Sequence, residues 1–470
     1  MPDSIHQALL RHLPSISDLL ATVEVDGWLA EQPRALVTRC LRETVTALRK
    51  QILADEGGRC GVQHLQAGYI LEMARERLLE YTRPHIRGAI NATGIILHTG
   101  LGRAVWPASV VDSMAEELKG YVSLALDKET GERLDRDRQI EYLLTELTGA
   151  EAATVVNNNA GATLLVLAAL AAEREVIVSR GQLIEIGGSF RLPEVMALSR
   201  ARLVEVGATN RTHARDYAAA ITEQTAAILR VHPSNYRIVG FTAEPSPAEL
   251  AAIAHERGLL YLDDLGAGAL LDLEQFGLPH EPTPAEAIAH GADVVLFSAD
   301  KLIGSAQGGI IAGRAELIAR IRKHPLARAL RADKTCLMAM ERTLPLFRDP
   351  EILRREHPTF RMLTTPQETL QARAAALVAA IHAAAPHVIA ELRKAVGYLG
   401  SGSLPMEDLP TWVAALSVPG MKAAELARRL RLDEACVCAR IEREQVLCDV
   451  RTLSDAEVPR VGAALARVSA

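Results

Sequence analysis

The feature of the sequence that most constrains the fold is an alternation of short apolar runs with helical stretches, which begins near Glu175. Short apolar runs separated by helical stretches are typical of βαβ units, whose parallel strands are buried on both faces. The sequence therefore predicts an α/β fold with a mostly parallel sheet and helices on both faces. The predicted strands are Val176–Val178, Leu203–Val206, Ala227–Val231, Leu259–Leu262, Val294–Phe297 and Ile310–Ala312.

Four segments are expected along the chain, because 470 residues are too many for one ordinary hydrophobic core. Near the N-terminus, apolar residues recur at helical spacing and are interrupted at Pro14 and Pro33, which predicts a small helical domain. Towards the C-terminus, helical stretches interleave with strand-like runs, which favours a smaller α+β domain. The expected segments are a helical domain over 1–69, a linker helix over 70–88, a large domain over 89–346 and a C-terminal α+β domain over 347–470.

Composition and charge exclude several classes of protein. The net charge of −6 argues against nonspecific binding to nucleic acid, although it permits a local basic site. The N-terminus lacks the layout of a secretory signal, and the longest apolar run, Ala162–Ala172, is too short to span a bilayer. The cysteines lack the spacing of paired metal ligands, so a cytoplasmic protein with no metal site and no membrane contact is expected. They are Cys40, Cys60, Cys336, Cys436, Cys438 and Cys448.

A lysine follows one predicted strand in the stretch ADVVLFSADKLIGSAQGGIIAG, residues 292–313. Lys301 lies just past the strand end, and Gly304, Gly308 and Gly309 separate it from the next strand. Ligands of open α/β sheets bind where strands end, and a lysine amine held there can condense with an aldehyde. A solvated surface lysine is the commoner alternative. That alternative leaves the glycines unexplained, because glycine is useful where backbone turns sharply or closely approaches a ligand.

Two further strand ends carry candidate ligand groups. Residues 157–162 read NNNAGA and lead from an apolar stretch into a long apolar helix. Free backbone N–H groups at a helix start bind phosphate, although an ordinary asparagine-capped helix has the same pattern. The strand Leu259–Leu262 ends at Asp263 and Asp264, where a carboxylate can meet a metal, a ribose or a protonated ring nitrogen. No partner carboxylate or histidine cluster in the sequence supports the metal.

Together these groups predict a pyridoxal phosphate site. The strand-end lysine would form the internal aldimine, and the strand-end aspartate would keep the ring nitrogen protonated, so that the ring acts as an electron sink. The small-residue loop, together with Ser298 three residues before the lysine, would hold the phosphate. Each signal is weak alone, but their combination in one chain favours this cofactor.

A basic segment follows the lysine region, and its centre is HPLARALRADK, residues 324–334. Few acidic residues lie near it, and arginine side chains pair with phosphate-like oxyanions, so the segment is a candidate anion site. A solvated helix face is the alternative. The basic residues are Arg314, Arg320, Arg322, Lys323, His324, Arg328, Arg331, Lys334 and Arg342.

Over nearly its whole length the chain resembles the bacterial selenocysteine synthases, which are L-seryl-tRNA(Sec) selenium transferases of the fold-type I pyridoxal phosphate class. The NNNA loop and the HPLARALRADK run are specific to that family rather than general to the fold. The motifs that carry the resemblance are LPSISDLL, INATGIILHTGLGRA, LTGAEAATVVNNNAGA, SNYRIVGFT, DLGAGAL, SADKLIGSAQGG, HPLARALRADK and ARIEREQVLCDVRTL.

The resemblance implies roles for individual residues. Lys301 would be the catalytic aldimine lysine, and Asp264, rather than Asp263, would pair with the ring nitrogen. Asn235 would lie near the ring hydroxyl. The residues implied to hold the phosphate are Asn159, Ala160, Gly161, Ala162 and Ser298. Those implied to hold the selenium donor are Arg328, Arg331 and Arg103.

The resemblance also implies the reaction and the partners. Seryl-tRNA(Sec) would lose the serine hydroxyl to leave an aminoacrylyl intermediate, and selenophosphate would then deliver selenium to the β-carbon. The N-terminal domain would bind the tRNA, and the chains would form a homo-oligomer, a homodecameric ring of dimers with shared active sites. Two alternatives stay open: a pyridoxal phosphate-dependent lyase or desulfurase acting on a free amino acid, and a noncatalytic tRNA-binding or scaffold protein.

The sequence departs from the usual family pattern at a few positions. Gly100 stands where the family usually has Asn, and Leu134–Asp135 stand where it usually has Gly-Ser. In the lysine region, Ala299 replaces a usual Gly, and Ser305–Ala306 replace Gly-Pro. The first two departures affect loops expected near the active site, but none removes a group that the chemistry needs.

Overall fold

The computed structural model describes residues 7, 9–54, 61–187, 190–401, 403–404 and 407–469, so Cys60 lies outside the described residues. The chain divides into two compact units, Met1–Gly88 and Ala89–Ala470. None of the helices in the described part of the chain combines the length and the apolar character needed to cross a bilayer. Within the same residues, no group of three or more His, Cys, Asp or Glu side chains is arranged to hold a metal ion.

The N-terminal unit is helical. Its helices are α1 (Ile16–Leu20), α2 (Val23–Glu31), α3 (Arg34–Ala54) and α4 (Ala67–Thr82). The apolar face of α3 packs against Ile70, Leu71 and Leu78 of α4 in one core. The structure therefore differs from the expected linker helix over 70–88, because α4 buries its apolar side chains inside this unit.

The strands of the second unit form two main sheets and a hairpin. In chain order they are β1 (Ile90–Ala92), β2 (Ala152–Val156), β3 (Glu175–Ser179), β4 (Glu185–Ile186), β5 (Phe190–Arg191), β6 (Arg202–Val206), β7 (Thr225–Val231), β8 (Leu260–Gly266), β9 (Val294–Ser298), β10 (Gly309–Gly313), β11 (Ile389–Gly397), β12 (Leu409–Ser417), β13 (Val437–Glu442) and β14 (Gln445–Asp449). The hairpin pairs β4 with β5.

Helices connect these strands. They are α5 (Ala108–Glu117), α6 (Arg138–Thr148), α7 (Asn159–Ala171), α8 (Leu192–Leu198), α9 (Ala214–Ala220), α10 (Pro247–Glu256), α11 (Pro284–Ala289), α12 (Ala315–Lys323), α13 (Pro325–Ala329), α14 (Lys334–Thr343), α15 (Pro350–Glu356), α16 (Pro358–Thr364), α17 (Gln367–Ala384), α18 (Ala423–Leu432) and α19 (Val458–Ser469). Short 3₁₀ turns cover Val62–Leu65, Thr99–Leu101, Arg180–Gln182, Leu273–Phe276 and Leu344–Arg348.

The large sheet has the strand order β2-β10-β9-β8-β7-β3-β6. Only β10 runs antiparallel to its neighbours, β2 and β9, and the other pairs are parallel. Along β9, Val295 and Phe297 pack into one apolar cluster, whereas Val294 and Leu296 pack into another. Both faces of the sheet are therefore covered, which confirms the predicted α/β fold with a mostly parallel sheet.

The small sheet has the order β1-β13-β14-β12-β11 and its own core, which includes side chains of α17, α18 and α19. The division between the two sheets and their cores does not follow the expected boundary between residues 346 and 347. The strand β1 pairs in parallel with β13, so a segment from the start of the unit completes this sheet. Conversely, Leu353 and Phe360 pack into the core of the large sheet, because apolar contacts rather than chain order decide membership of a core.

Candidate active site

A cavity of about 310 Å³ opens at the carboxyl ends of β7, β8 and β9. Parallel strands end at the same edge of a sheet, so the loops that follow them bring distant residues together there. The volume lies within the range of small-molecule sites. The lining residues are Arg103, Asn158, Asn159, Ala160, Ile184, Gly187, Phe190, Leu192, Val231, His232, Ser234, Asp264, Gly266, Ser298, Asp300, Lys301 and Gln307.

Lys301 lies in the turn between β9 and β10, as the sequence predicts, and is only 5% exposed. Its Nζ atom has no hydrogen-bond acceptor among the described residues. Burial lowers the pKa of this amine below its ordinary value and outweighs the opposing effect of Asp300, while the Arg103 guanidinium lowers the pKa further. A buried amine with a lowered pKa is more often neutral, and the neutral amine is the nucleophile and base.

The turn that carries Lys301 is packed too tightly for larger residues. Gly304 has a φ of +65°, and a Cβ atom there would lie 2.1 Å from Cε1 of His357. At Gly309, a Cβ atom would lie 2.3 Å from the backbone oxygen of Asn158. The first glycine supplies the left-handed backbone, and the second allows β10 to approach the loop before α7.

Asp264 projects from β8 into the same cavity. Its Oδ1 accepts hydrogen bonds from Asn159 Nδ2 at 2.9 Å and from the Gly266 backbone N–H at 3.2 Å, and its Oδ2 accepts one from Thr163 Oγ1 at 3.0 Å. Burial raises the pKa of Asp264 and outweighs these bonds, which lower it. A cation placed beside this carboxylate would favour its ionised form.

Asp263 points to the opposite side of the sheet. Its side chain is 1% exposed, and its Oδ1 accepts a hydrogen bond from Arg230 at 3.0 Å. Tyr261 also donates a hydrogen bond to its Oδ2 at 3.2 Å. Because neighbouring residues of a strand point to opposite faces, only Asp264 of the two lines the cavity.

The start of α7 forms another wall of the cavity. The Asn158 side chain caps the helix by accepting a hydrogen bond from the Gly161 N–H at 2.8 Å. The N–H groups of Asn159 and Ala160 precede it and have no acceptor among the described residues. Ala160 lines the cavity, whereas Gly161 and Ala162 lie behind it and are buried. This helix end can bind an anion.

Sequence reasoning missed two cavity residues in the segment that follows β7. His232 and Ser234 line the cavity, and their Nδ1 and Oγ atoms are buried without hydrogen-bond partners among the described residues. Asn235 was expected near the ring hydroxyl, but it is exposed, and its Nδ2 donates to the Glu185 carbonyl at 3.1 Å. The signal for His232 was its place directly after a predicted strand.

The structure separates the three arginines expected to hold one ligand. Arg103 lines the Lys301 cavity and forms an ion pair with Asp300. Arg328 and Arg331 line a second cavity of about 200 Å³, to which Arg133, Arg136 and Arg322 also contribute. The pKa of Arg331 is lowered, and the nearby guanidinium of Arg136 is the largest cause. Such a concentration of guanidinium groups is suited to an oxyanion.

Two of the departures from the expected family pattern lie beside these two sites. Leu134 and Asp135 line the arginine cavity, and Ser305 and Ala306 are buried in the turn after Lys301. Gly100 is exposed. The Oγ atom of Ser305 is buried without a hydrogen-bond partner in the described part of the chain.

Comparisons with known proteins define the class and the family. The family model "L-seryl-tRNA selenium transferase" matches residues 89–454, and "Selenocysteine synthase N terminal" matches residues 10–49. The L-seryl-tRNA(Sec) selenium transferase of Geobacter metallireducens is 44% identical over 98% of this chain and 99% of its own. The corresponding protein of Solidesulfovibrio magneticus is 45% identical and covers 98% of both chains.

Among solved structures, D-glucosaminate-6-phosphate ammonia-lyase has a TM-score of 0.56 and 21% identity, and the match covers 82% of this chain and 96% of that one. This likeness concerns the fold alone. The sheet, the strand-end lysine and the strand-end aspartate, taken with the family match, define a fold-type I pyridoxal phosphate-dependent enzyme. The chain belongs to the L-seryl-tRNA selenium transferase family.

Proposed function

We propose that this enzyme converts seryl-tRNA(Sec) to selenocysteinyl-tRNA(Sec), with pyridoxal phosphate as its cofactor and selenophosphate as the selenium donor. The relatives that match almost the whole chain are named for the transfer of selenium to seryl-tRNA(Sec). The observation that carries the proposal is the single cavity that joins the buried amine of Lys301, the carboxylate of Asp264 and the start of α7.

The residues of this cavity fit the cofactor. Lys301 would bind its aldehyde carbon, and Asp264 would face its ring nitrogen, whose positive charge would favour the ionised carboxylate. The N–H groups of Asn159 and Ala160, with Ser298, would hold the phosphate. Gly161 and Ala162 would let that loop pack closely. The unpartnered Oγ atom of Ser234 supports this fit, because a polar ligand in the cavity would satisfy it.

When bound, pyridoxal phosphate supplies an electron sink that makes the serine Cα proton acidic. Lys301 takes that proton on Nζ and returns it to Cα at the end of the reaction, which a neutral buried amine does well.

The selenium donor is assigned to the arginines. Selenophosphate is an oxyanion, and Arg103, Arg328 and Arg331 would bind it. Arg328 and Arg331 line a cavity other than that of Lys301, so within one chain the three arginines are divided between two cavities. This division supports a homo-oligomer in which the arginines of one subunit serve the lysine of another, and the oligomer that we propose is a decameric ring of dimers. The N-terminal unit would bind the tRNA, and the enzyme would work in the cytoplasm.

Single-turnover conversion of seryl-tRNA(Sec) by the purified enzyme, with selenophosphate and with ordinary seryl-tRNA(Ser) as the control, tests the proposal. Selenocysteine formed on tRNA(Sec) alone is the expected result. A protein that shows the visible absorbance of bound pyridoxal phosphate but converts neither tRNA would instead be the lyase or desulfurase of a free amino acid. A protein that binds tRNA without binding the cofactor would be noncatalytic.

A further inference from the structure

His232 lines the cavity, but none of the roles proposed above is assigned to it. It follows the last residue of β7 directly, and its backbone N–H donates a hydrogen bond to the Asp264 carbonyl at 2.9 Å. This bond holds His232 next to the strand-end aspartate. The side chain lines the cavity, and its Nδ1 is buried without a partner among the described residues.

A buried glutamate lies behind the imidazole. Glu281 is 4% exposed, does not line the cavity, and has its Oε1 atom 3.4 Å from His232 Nε2. This distance is an ion contact rather than a good hydrogen bond. Oε1 has no hydrogen-bond donor in the described part of the chain. A buried carboxylate is costly unless a polar partner lies beside it, and the His232 ring is the group placed beside Glu281 Oε1.

The proposed reaction needs two separate proton movements. Lys301 takes the proton from serine Cα, and the same proton is available for return to Cα when selenium has been added. The serine hydroxyl, however, is a poor leaving group and departs readily only as water. If Lys301 keeps the Cα proton for that return, the hydroxyl needs a second acid, and His232 lies in the cavity wall with a ring nitrogen that can carry a proton to it.

We propose that His232, held in position by Glu281, is the catalytic acid that protonates the departing serine hydroxyl. The Cβ–O bond breaks, and its electron pair leaves with the oxygen. That oxygen takes the Nδ1 proton and departs as water, and the neutral imidazole regains a proton from solvent before the next turnover. Glu281 is a positioning residue, since it acts through His232. This inference rests on the proposed function.

The test compares two leaving groups on the same tRNA. Wild-type enzyme and the His232→Asn variant, both loaded with pyridoxal phosphate, are mixed with seryl-tRNA(Sec) or with tRNA(Sec) charged with β-chloroalanine. No selenium donor is added. Elimination is measured in a single turnover as pyruvate released after hydrolysis. Chloride leaves without a proton, so only the loss of hydroxyl requires an acid.

For His232→Asn, we expect hydroxyl elimination to fall by about 10²- to 10⁴-fold and chloride elimination to change by less than about tenfold. Glu281→Gln should show the same selectivity with a smaller loss. The control is His213→Asn, which changes an exposed histidine before α9 and should affect neither substrate. The visible absorbance and the dissociation constant of pyridoxal phosphate should stay at wild-type values in all three variants.

Equal losses with both leaving groups, or weakened cofactor binding in both His232→Asn and Glu281→Gln, would assign the pair to holding the cofactor and overturn the inference. Unchanged hydroxyl elimination in His232→Asn would show that Lys301 supplies both protons, which also overturns it. If only His232→Asn loses the cofactor, the Glu281→Gln variant decides. A loss confined to hydroxyl elimination supports the inference, and equal losses of hydroxyl and chloride elimination overturn it. Failure of the wild-type enzyme to act on either charged tRNA would contradict the proposed function instead.

Discussion

His357 Nε2 lies 2.9 Å from the backbone carbonyl oxygen of Ile303, two residues beyond Lys301. The imidazole is fully buried and packs edge-on against Phe347 and Phe360. Nε2 therefore carries a hydrogen and donates it to the turn. This contact links the helical segment around α15 and α16 to the turn that carries Lys301.

The burial of His357 predicts a pH dependence of stability. Desolvation lowers the pKa of His357 from 6.5 to about 4. Below pH 6.5 the unfolded chain binds a proton that the folded chain does not, so the contribution is complete above this pH and is lost as the pH falls through 4. The shift corresponds to roughly 3 kcal/mol. His357→Gln, which keeps a donor but does not titrate, should flatten the profile of unfolding free energy between pH 4 and 6.5.

The control for the pH prediction is His290→Gln, which changes an exposed histidine at the end of α11 and should leave the profile unaltered. Denaturant midpoints followed by circular dichroism across this range provide the measurement. An unchanged slope in His357→Gln would mean that His357 becomes protonated in the folded enzyme.

Gly304 should tolerate no side chain. Gly304→Ala would force a left-handed residue, at about 1–2 kcal/mol, and a clash with His357, at about 1–3 kcal/mol. Gly277→Ala is the matched control, because Gly277 has a φ of +74° but no atom within 4 Å of the position that a Cβ would take. We therefore expect the control to lose only the backbone contribution. Equal urea midpoints for the two variants would contradict the packing of the Lys301 turn.

Substitution of the two neighbouring aspartates should have different effects, one on catalysis and the other on stability. Asp264→Asn removes from the cavity the carboxylate that would keep the ring nitrogen of the cofactor protonated. Because a nearby opposite charge shifts a pKa by about 1–3 units, turnover should fall by about 10- to 1000-fold with the fold intact. Asp263→Asn leaves Arg230 buried without its counter-ion and should cost about 3–5 kcal/mol of stability. Single-turnover assays and denaturant midpoints, measured on both variants, would reveal a reversed pattern if the assignment is wrong.

Lys301 should be indispensable for the reactive form of the cofactor. Lys301→Ala removes the amine that binds the aldehyde, so both the visible absorbance of the loaded enzyme and its turnover should disappear. Lys301→Arg keeps a long basic side chain but not the nucleophilic amine, and it should fail in the same way. Lys323→Ala, on α12, serves as the control. Normal turnover by Lys301→Ala would refute the assignment.

Arg328 should affect the selenium donor more than the tRNA. A hydrogen bond to a charged group contributes about 1.5–3 kcal/mol, so Arg328→Ala should raise the half-saturating concentration of selenophosphate by about 10- to 150-fold. Binding of seryl-tRNA(Sec), measured separately, should stay unchanged. Arg320→Ala removes an exposed arginine from α12 and is the control. A parallel loss of donor use and tRNA binding would argue against a donor site.

Several elements follow from local sequence. The predicted strand Val294–Phe297 agrees with β9 to one residue, and the lysine turn after it was expected from its glycines. By contrast, the antiparallel direction of β10 has no local signal, because a fully buried strand has the same apolar pattern in either direction. Asn235 was expected near the ring hydroxyl, and the structure leaves it exposed and outside the cavity lining for a related reason. A loop residue can face the cavity or solvent, and only its packing decides which.

The amino-acid sequence by itself determined the α/β class, the strand-end positions of Lys301 and Asp264, and the family, because periodicity and short motifs are local properties of the chain. Tertiary structure alone decided that β1 joins the C-terminal sheet, that Glu281 lies behind His232, and that Arg328 lines a cavity separate from that of Lys301. These relationships join residues far apart in the chain. Their energies come from burial and from paired charges, which exist only after the chain has packed.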